Sequence, residues 1–391
     1  MNYLTILLIV LLLLSLVELS FAKHKVLCDQ LFHIAFAFTA FWVGIKYYIG
    51  PDIFSYVPFY ETIQPLKDIL GGHYKGDFEI GFAIFCSLLK SIGLSFWGMT
   101  VVITAIYFAA IYKVFKQLKS YRTFALCVLM LLDYNLALYE FRQCLAVSLF
   151  ILSYYAWAEK KYLKTLLIIT MAIFIHKSAI FIYLGTLLIY VFKSIKISKK
   201  SYILIGIIFI LMLLIPPISL FEKIINEIPL SKTVYISLIH HLSEGKILQL
   251  ILPVYLLTIF CLAYYGNFSK ENKKWHWFMW CFIAVIVILF QYWFLLNRIR
   301  SYFTLFLLVY TINTLVNSQR KDILPKQLLV LTLIIYSVLF ISGNYIKSLN
   351  QSSHTNNIST IFDRLHHSED YLRNQQMKEA TIYWKKDYLK E

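Results

Sequence analysis

Charged residues are scarce in this chain of 391: only 15% are Asp, Glu, Lys or Arg, while 60% are apolar. A soluble domain is roughly 45–50% apolar and about 25% charged, so the composition excludes an ordinary soluble globular protein. Also missing is the alternation of apolar and polar residues over about ten positions that a membrane β-barrel requires; the run 6–14 is apolar almost throughout. The six cysteines, Cys28, Cys86, Cys127, Cys144, Cys261 and Cys281, form no C-x-x-C pair and no ligand spacing. They read as small buried hydrophobes. His240-His241 has no third ligand spaced to match, so no metal is expected. There is no repeat of fixed period, no low-complexity linker and no nucleotide-binding motif.

What the chain does have is apolar blocks, at about 4–22, 28–46, 80–96, 97–112, 123–139, 142–158, 162–175, 178–192, 202–219, 248–265, 276–296, 301–316 and 327–342. Most are about as long as a helix needs to cross a ~30 Å hydrocarbon layer at 1.5 Å per residue. The reading is an all-α, polytopic membrane helix bundle of about 12–13 segments over 1–343, with a polar tail over 344–391. The first block ends in Ser20-Phe21-Ala22, like a signal-peptide cleavage site, yet no Lys or Arg precedes its apolar run and Lys23 and Lys25 follow it. It therefore reads as an uncleaved helix with its N-terminus outside.

The 37 Lys and Arg outnumber the 21 Asp and Glu, for a net charge of +16. In a soluble protein such an excess points to nucleic acid, but here the positives sit between apolar blocks. They cluster at Lys113, Lys116, Lys119 and Arg122; at Lys160, Lys161 and Lys164; at Lys193, Lys196, Lys199 and Lys200; at Lys270, Lys273 and Lys274; and at Arg320, Lys321 and Lys326. Two apolar blocks separate each neighbouring pair, so all five clusters are cytoplasmic together under the positive-inside rule. The connections 133–142, 175–178 and 297–301 then fall outside, as do the loops 47–79 and 220–247. Two full crossings at 80–96 and 97–112 would break this parity, and the first block carries Lys90. It is therefore a candidate re-entrant segment, which is tolerable where protein surrounds it.

Polar groups at membrane depth are expensive and usually have a task. Arg142-Gln143 opens one block at its outer end, and His176 lies 34 residues later, after the chain has run in to Lys160 and back. Seventeen residues each way is about 25 Å, so Arg142 and His176 return to one level on antiparallel neighbours. Arg298 and Arg300 start a later block at the same face. Arginine offers a planar fork that matches phosphate oxygens. Arginines near helix ends also snorkel to head groups, but a positive-inside bias disfavours external ones. Within 47–79, Asp52 and Glu79 are the best-placed carboxylates, one after Gly50-Pro51 and one at the start of an apolar block. Tyr47, Tyr48, Tyr56, Phe59 and Tyr60 cluster in the same stretch, as an interface belt or as a stacking surface for sugar.

The run Lys46-Tyr47-Tyr48-Ile49-Gly50-Pro51-Asp52, with Tyr56 four residues on, resembles the R-x-x-V-G-x-D-x-x-x-Y stretch of the EpsG family of bacterial exopolysaccharide proteins. Glu79-Ile80-Gly81-Phe82 is similar to its E-P-G-Y/F, and Arg142-Gln143-Cys144-Leu145-Ala146 to its I-R-Q-x-L/A-A. Ile175-His176-Lys177-Ser178-Ala179 resembles F-H-x-S-A, and Arg298-Ile299-Arg300-Ser301-Tyr302-Phe303 the late R-x-x-x-Y/F. The matches keep their order over about 45–305, with Lys46 in place of Arg, Ile80 in place of Pro and Ile175 in place of Phe.

The resemblance implies a polysaccharide polymerase similar to the Wzy O-antigen polymerases, in the bacterial cytoplasmic membrane and making exopolysaccharide, capsule or O-antigen. Such an enzyme transfers a glycan from a polyprenyl pyrophosphate to another lipid-linked repeat unit at the outer face. Its partners are that oligosaccharide, membrane lipid, a chain-length regulator and a repeat-unit flippase; it uses no cofactor and no nucleic acid. On this reading Arg142, Arg298, Arg300 and Lys46 hold the pyrophosphate. The base is His176, Glu79 or Asp52, with His176 first because an unperturbed pKa of ~6.5 suits neutral pH. Gln143, Tyr56, Ser178 and Tyr302 contact sugar or lipid. A lipid-linked glycan flippase and an O-antigen ligase-like transferase are the alternatives.

Overall fold

Leu- and Ile-rich segments with few breakers close their backbone hydrogen bonds locally, and the computed structural model is mostly helical over its described residues. It describes residues 3–47, 52–76, 78–192, 293–317 and 359–360, with single positions at 279, 282, 285, 368, 370, 371, 373, 374 and 377. The blocks at 202–219, 248–265 and 327–342, the 220–247 loop with His240 and His241, and most of 276–296 and of the 344–391 tail lie outside the described residues. The chain divides into two compact units, 1–179 with 340–391, and 180–339.

In the first unit the helices are α1 (Tyr3–Ser20), α2 (Lys25–Gly44), α3 (Ile53–Thr62), α4 (Leu66–Leu70), α5 (Ile80–Ser91), α6 (Phe96–Phe115), α7 (Arg122–Leu138), α8 (Phe141–Ala158) and α9 (Tyr162–Ile175). α8 and α9 form an antiparallel hairpin, α6 packs on α8, and α1 and α2 pack on α7. α2 and α6, each 20 residues long, are apolar and long enough to cross a membrane. A two-residue strand β1 (Lys46–Tyr47) pairs antiparallel with β2 (Ser359–Thr360). α10 (Ala179–Phe192) and α11 (Trp293–Asn317) follow. In the second unit α11 buries Tyr302, Phe303 and Phe306, and Phe303 stacks on Phe282 with ring centroids 4.8 Å apart.

The two ends of the first unit differ in chemistry. At one end Arg122 pairs with Asp29 and lies over the Phe32 ring, His33 meets the Tyr112 hydroxyl at 3.0 Å, and Gln117 donates to the Tyr155 hydroxyl at 3.1 Å. Glu18, from the last turn of α1, accepts the Phe124 N–H at 2.9 Å and so caps the first turn of α7, where helix N–H groups have no intrahelical partner. The opposite end gathers β1, the 52–79 stretch, the starts of α5, α6 and α8, and the end of α9.

Two details bear on the sequence reading: the connection read at 133–142 is shorter, and the candidate re-entrant segment at 80–96 is a short helix that turns back. The charged residue Asp133 does not end α7: the helix kinks there, with Asp133 buried, and continues to Leu138. The connection to α8 shrinks to Tyr139-Glu140 because the N–H groups of both residues close onto the Asn135 carbonyl. The 80–96 block holds only 12 residues of helix, about 18 Å at 1.5 Å per residue. Both ends of α5 stay at one end of the unit. Glu79 precedes it beside Arg142; after it, Leu94 accepts from the Tyr60 hydroxyl at 2.8 Å and Phe96 meets Phe141. Lys90, near the end of α5, reaches the Glu61 carbonyl of α3 at 2.6 Å. The chain thus turns at Gly93, which has a φ of +84°, and enters α6 from the end at which it entered α5.

Candidate active site

Glu79 stands just before α5 in extended backbone, and α8 and the end of α9 converge on it. Arg142, the second residue of α8, donates from Nη1 to Glu79 Oε2 at 2.5 Å and from Nε to the Tyr56 hydroxyl at 3.1 Å. The other carboxylate oxygen, Oε1, lies 3.5 Å from His176 Nδ1 and accepts the Lys177 N–H at 3.2 Å. The Arg142 guanidinium lies over the Phe78 ring, 4.3 Å from its centroid. Phe78 in turn stacks on Tyr56, so an aromatic pair backs the arginine. The Glu79 side chain is 9% exposed and that of Arg142 is 23% exposed.

Close packing of α5 on α9 makes this convergence possible. At Gly81 a Cβ would fall 2.7 Å from the Phe174 carbonyl oxygen, 2.8 Å from its carbon and 2.9 Å from the Phe174 Cβ. Only a hydrogen fits, and Glu79, two residues before Gly81, meets His176, two residues after Phe174. Burial alone would raise the Glu79 carboxyl, but the neighbouring His176 and the Arg142 charge outweigh it and hold the group down at about 2. Burial pushes the Tyr56 hydroxyl up to about 12 despite the neighbouring Arg142. At neutral pH Glu79 is therefore an ionised acceptor serving Arg142, His176 and Lys177, and Tyr56 is neutral. With Glu79 facing Nδ1, the opposite ring nitrogen of His176, Nε2, is the one suited to take a proton.

The sequence profile of the EpsG family matches residues 30–358, most of the chain. The chain belongs to the EpsG family. No curated protein and no solved structure matches it. Membership makes this an exopolysaccharide-related membrane protein of a family associated with polysaccharide polymerisation.

The remaining EpsG-motif residues are distributed as follows. Lys46 is buried, donates to the Thr104 hydroxyl at 3.1 Å and the Ala137 carbonyl at 2.5 Å, and lies over the Phe141 ring. Its ammonium thus serves a carbonyl in the last turn of α7, one that helix geometry leaves over, and it braces α6, α7 and the start of α8 next to Arg142. Contact with a phosphate would require it to leave that carbonyl. Asp52 begins α3, where its carbonyl accepts the Tyr56 N–H at 3.1 Å, and its charge adds to the rise at Tyr56. Gln143 is buried in α8, and Ser178 is buried in the turn after His176. Arg298, exposed, and Arg300 and Tyr302, both buried, lie on α11 in the second unit. Gly50, Pro51 and Tyr48 lie outside the described residues.

Sequence reasoning missed three participants. Phe78 had one signal, an aromatic side chain directly before the acid of the E-x-G motif. Gly81 stood in the motif without its packing being apparent. The Lys177 N–H has no side-chain signature at all.

Proposed function

We propose that this EpsG-family protein is a multi-pass polysaccharide polymerase of the bacterial cytoplasmic membrane. It transfers a glycan from polyprenyl pyrophosphate to the terminal sugar of another lipid-linked repeat unit. The observation that carries the reading is the carboxylate of Glu79 joining Arg142 to His176 at the end of the unit opposite the basic Lys113 to Arg122 stretch. The positive-inside rule assigns that basic end to the cytoplasm, so the site opens outward, where a lipid-linked donor needs no nucleotide.

In the reaction the acceptor hydroxyl oxygen bonds to the anomeric carbon of the donor as the bond from that carbon to the pyrophosphate oxygen breaks. The hydroxyl proton passes to His176 Nε2, and the leaving pyrophosphate keeps the electron pair. Glu79 holds the imidazole by Nδ1 and stabilises it once protonated. Arg142 meets the charge that develops on the pyrophosphate, and such preorganised charge is often the largest catalytic contribution. Arg298 and Arg300 are proposed from the sequence as further pyrophosphate ligands. A repeat-unit flippase and a chain-length regulator are the partners this activity requires.

The test is chain lengthening of a defined lipid-linked oligosaccharide by the purified protein in liposomes. Arg142→Lys and His176→Ala each abolish long polymer while membrane insertion is unchanged. Polymer of normal length from both variants refutes the assignment, and movement of the oligosaccharide across the bilayer without lengthening favours a flippase.

A further inference from the structure

Arg142 Nη1, His176 Nδ1 and the Lys177 N–H all face one carboxylate, that of Glu79. Two side chains and a backbone amide converging on a single anion form a donor set that a phosphate oxygen would use equally well. Resting on the reading of Arg142 as the pyrophosphate ligand, we propose that Glu79 is a built-in occupant of the anion site, displaced from Arg142 when the donor's pyrophosphate arrives.

The geometry permits a partial exchange. The two carboxylate oxygens serve different partners, Oε2 facing Arg142 and Oε1 facing His176 and Lys177. Rotation about the side chain releases the first without surrendering the second. Arg142 cannot stand alone there: it is largely buried over Phe78, and a buried charge without a counter-charge is costly. A pyrophosphate diester, with one negative charge on each phosphate, satisfies the guanidinium better than one carboxylate oxygen and leaves Glu79 to serve His176 and the Lys177 N–H. Arrival of the donor thus completes the pairing of the base, and a glycan without the phosphate does not. This ordering favours transfer to the acceptor after the donor is seated. Its cost is weaker donor binding, because the pyrophosphate competes with a carboxylate already in place.

The exchange predicts opposite movements of affinity and rate. Glu79→Gln keeps the shape but removes the competing charge, so inorganic pyrophosphate, titrated calorimetrically into protein in phosphatidylcholine nanodiscs, binds about tenfold more tightly than to the wild type. The chain-lengthening rate at saturating donor falls because His176 loses its carboxylate. In the double variant Glu79→Gln, Arg142→Gln the gain disappears. If Glu79→Gln is not monodisperse on size exclusion, the comparison passes to Glu79→Asp, whose shorter reach leaves Arg142 and gives a smaller gain of the same sign. Equal or weaker pyrophosphate binding by the variant, or no binding by either protein, overturns the proposal. So does displacement of pyrophosphate by phosphatidylglycerol added to the nanodiscs, which assigns the site to a bilayer head group. Loss of polymer in Arg142→Lys with no gain in Glu79→Gln rejects the built-in occupant alone, whereas normal polymer in Arg142→Lys and His176→Ala rejects the polymerase reading on which it rests.

Discussion

Replacing Gly81 by alanine tests whether the approach of α5 to α9 builds the site. The added Cβ meets Phe174 backbone carbon at 2.8 Å, against an ordinary carbon contact of about 3.5 Å, so α5 must retreat by about 0.7 Å. The obstacle is main chain and Cβ, and Phe174→Ala therefore does not relieve it. Overpacking of this kind costs about 1–3 kcal/mol. The same retreat carries Glu79 outward: its 3.5 Å approach to His176 opens to about 4 Å, which weakens the attraction between the two groups. Misplacement on the order of 1 Å costs about 100-fold in rate, so the expected loss is about 10- to 100-fold in chain lengthening, normalised to folded protein, with a lower Tm. Gly44→Ala is the control, since a methyl there meets nothing within 4 Å. A Gly81→Ala protein within twofold of wild type in rate and unchanged in Tm refutes the argument that this contact positions Glu79.

Other expectations follow from the same contacts. Because the Glu79 carboxyl is held near 2 against an ordinary 4.5, its contribution to stability is complete above about pH 4.5 and is lost as pH falls toward 2; the Tm difference between wild type and Glu79→Gln in detergent shrinks over that window and is flat above it. Phe78→Leu removes the ring under Arg142, a contact worth about 0.5–2 kcal/mol, and lowers kcat/KM for the lipid-linked donor by about 2- to 30-fold. Glu18→Ala uncaps α7 at the far end of the unit, costs about 0.5–2 kcal/mol and lowers Tm, while the rate per folded molecule is retained.

The parts of the fold that were legible in the sequence follow from local causes. Apolar blocks announce helices because a chain in lipid must close its hydrogen bonds internally, and the lengths of α8 and α9 return Arg142 and His176 to one level, where Glu79 joins them. Lys46 was not legible: a lysine closing an apolar block looks the same whether it meets phosphate or a carbonyl, and its partner Ala137 lies 91 residues away with no side-chain signature. The connection counted from Asp133 began too early: α7 runs on through a kink there to Leu138, as the apolar block 123–139 indicates. The path of α5 was legible only as a break in charge parity at 80–96; the contacts that fix it, Glu79 to Arg142 and Tyr60 to Leu94, are tertiary and leave no trace in hydropathy.

The pairing of Lys46–Tyr47 with Ser359–Thr360 sets a clock on biogenesis. The first strand leaves the ribosome more than three hundred residues before its partner exists, an interval of about 15–60 s at about 5–20 residues per second. Throughout that time β1, whose Lys46 lies over Phe141 beside Arg142, lacks its partner strand. A nascent protein stalled before Ser359 therefore carries every residue of the Glu79 cluster yet lacks the partner of β1.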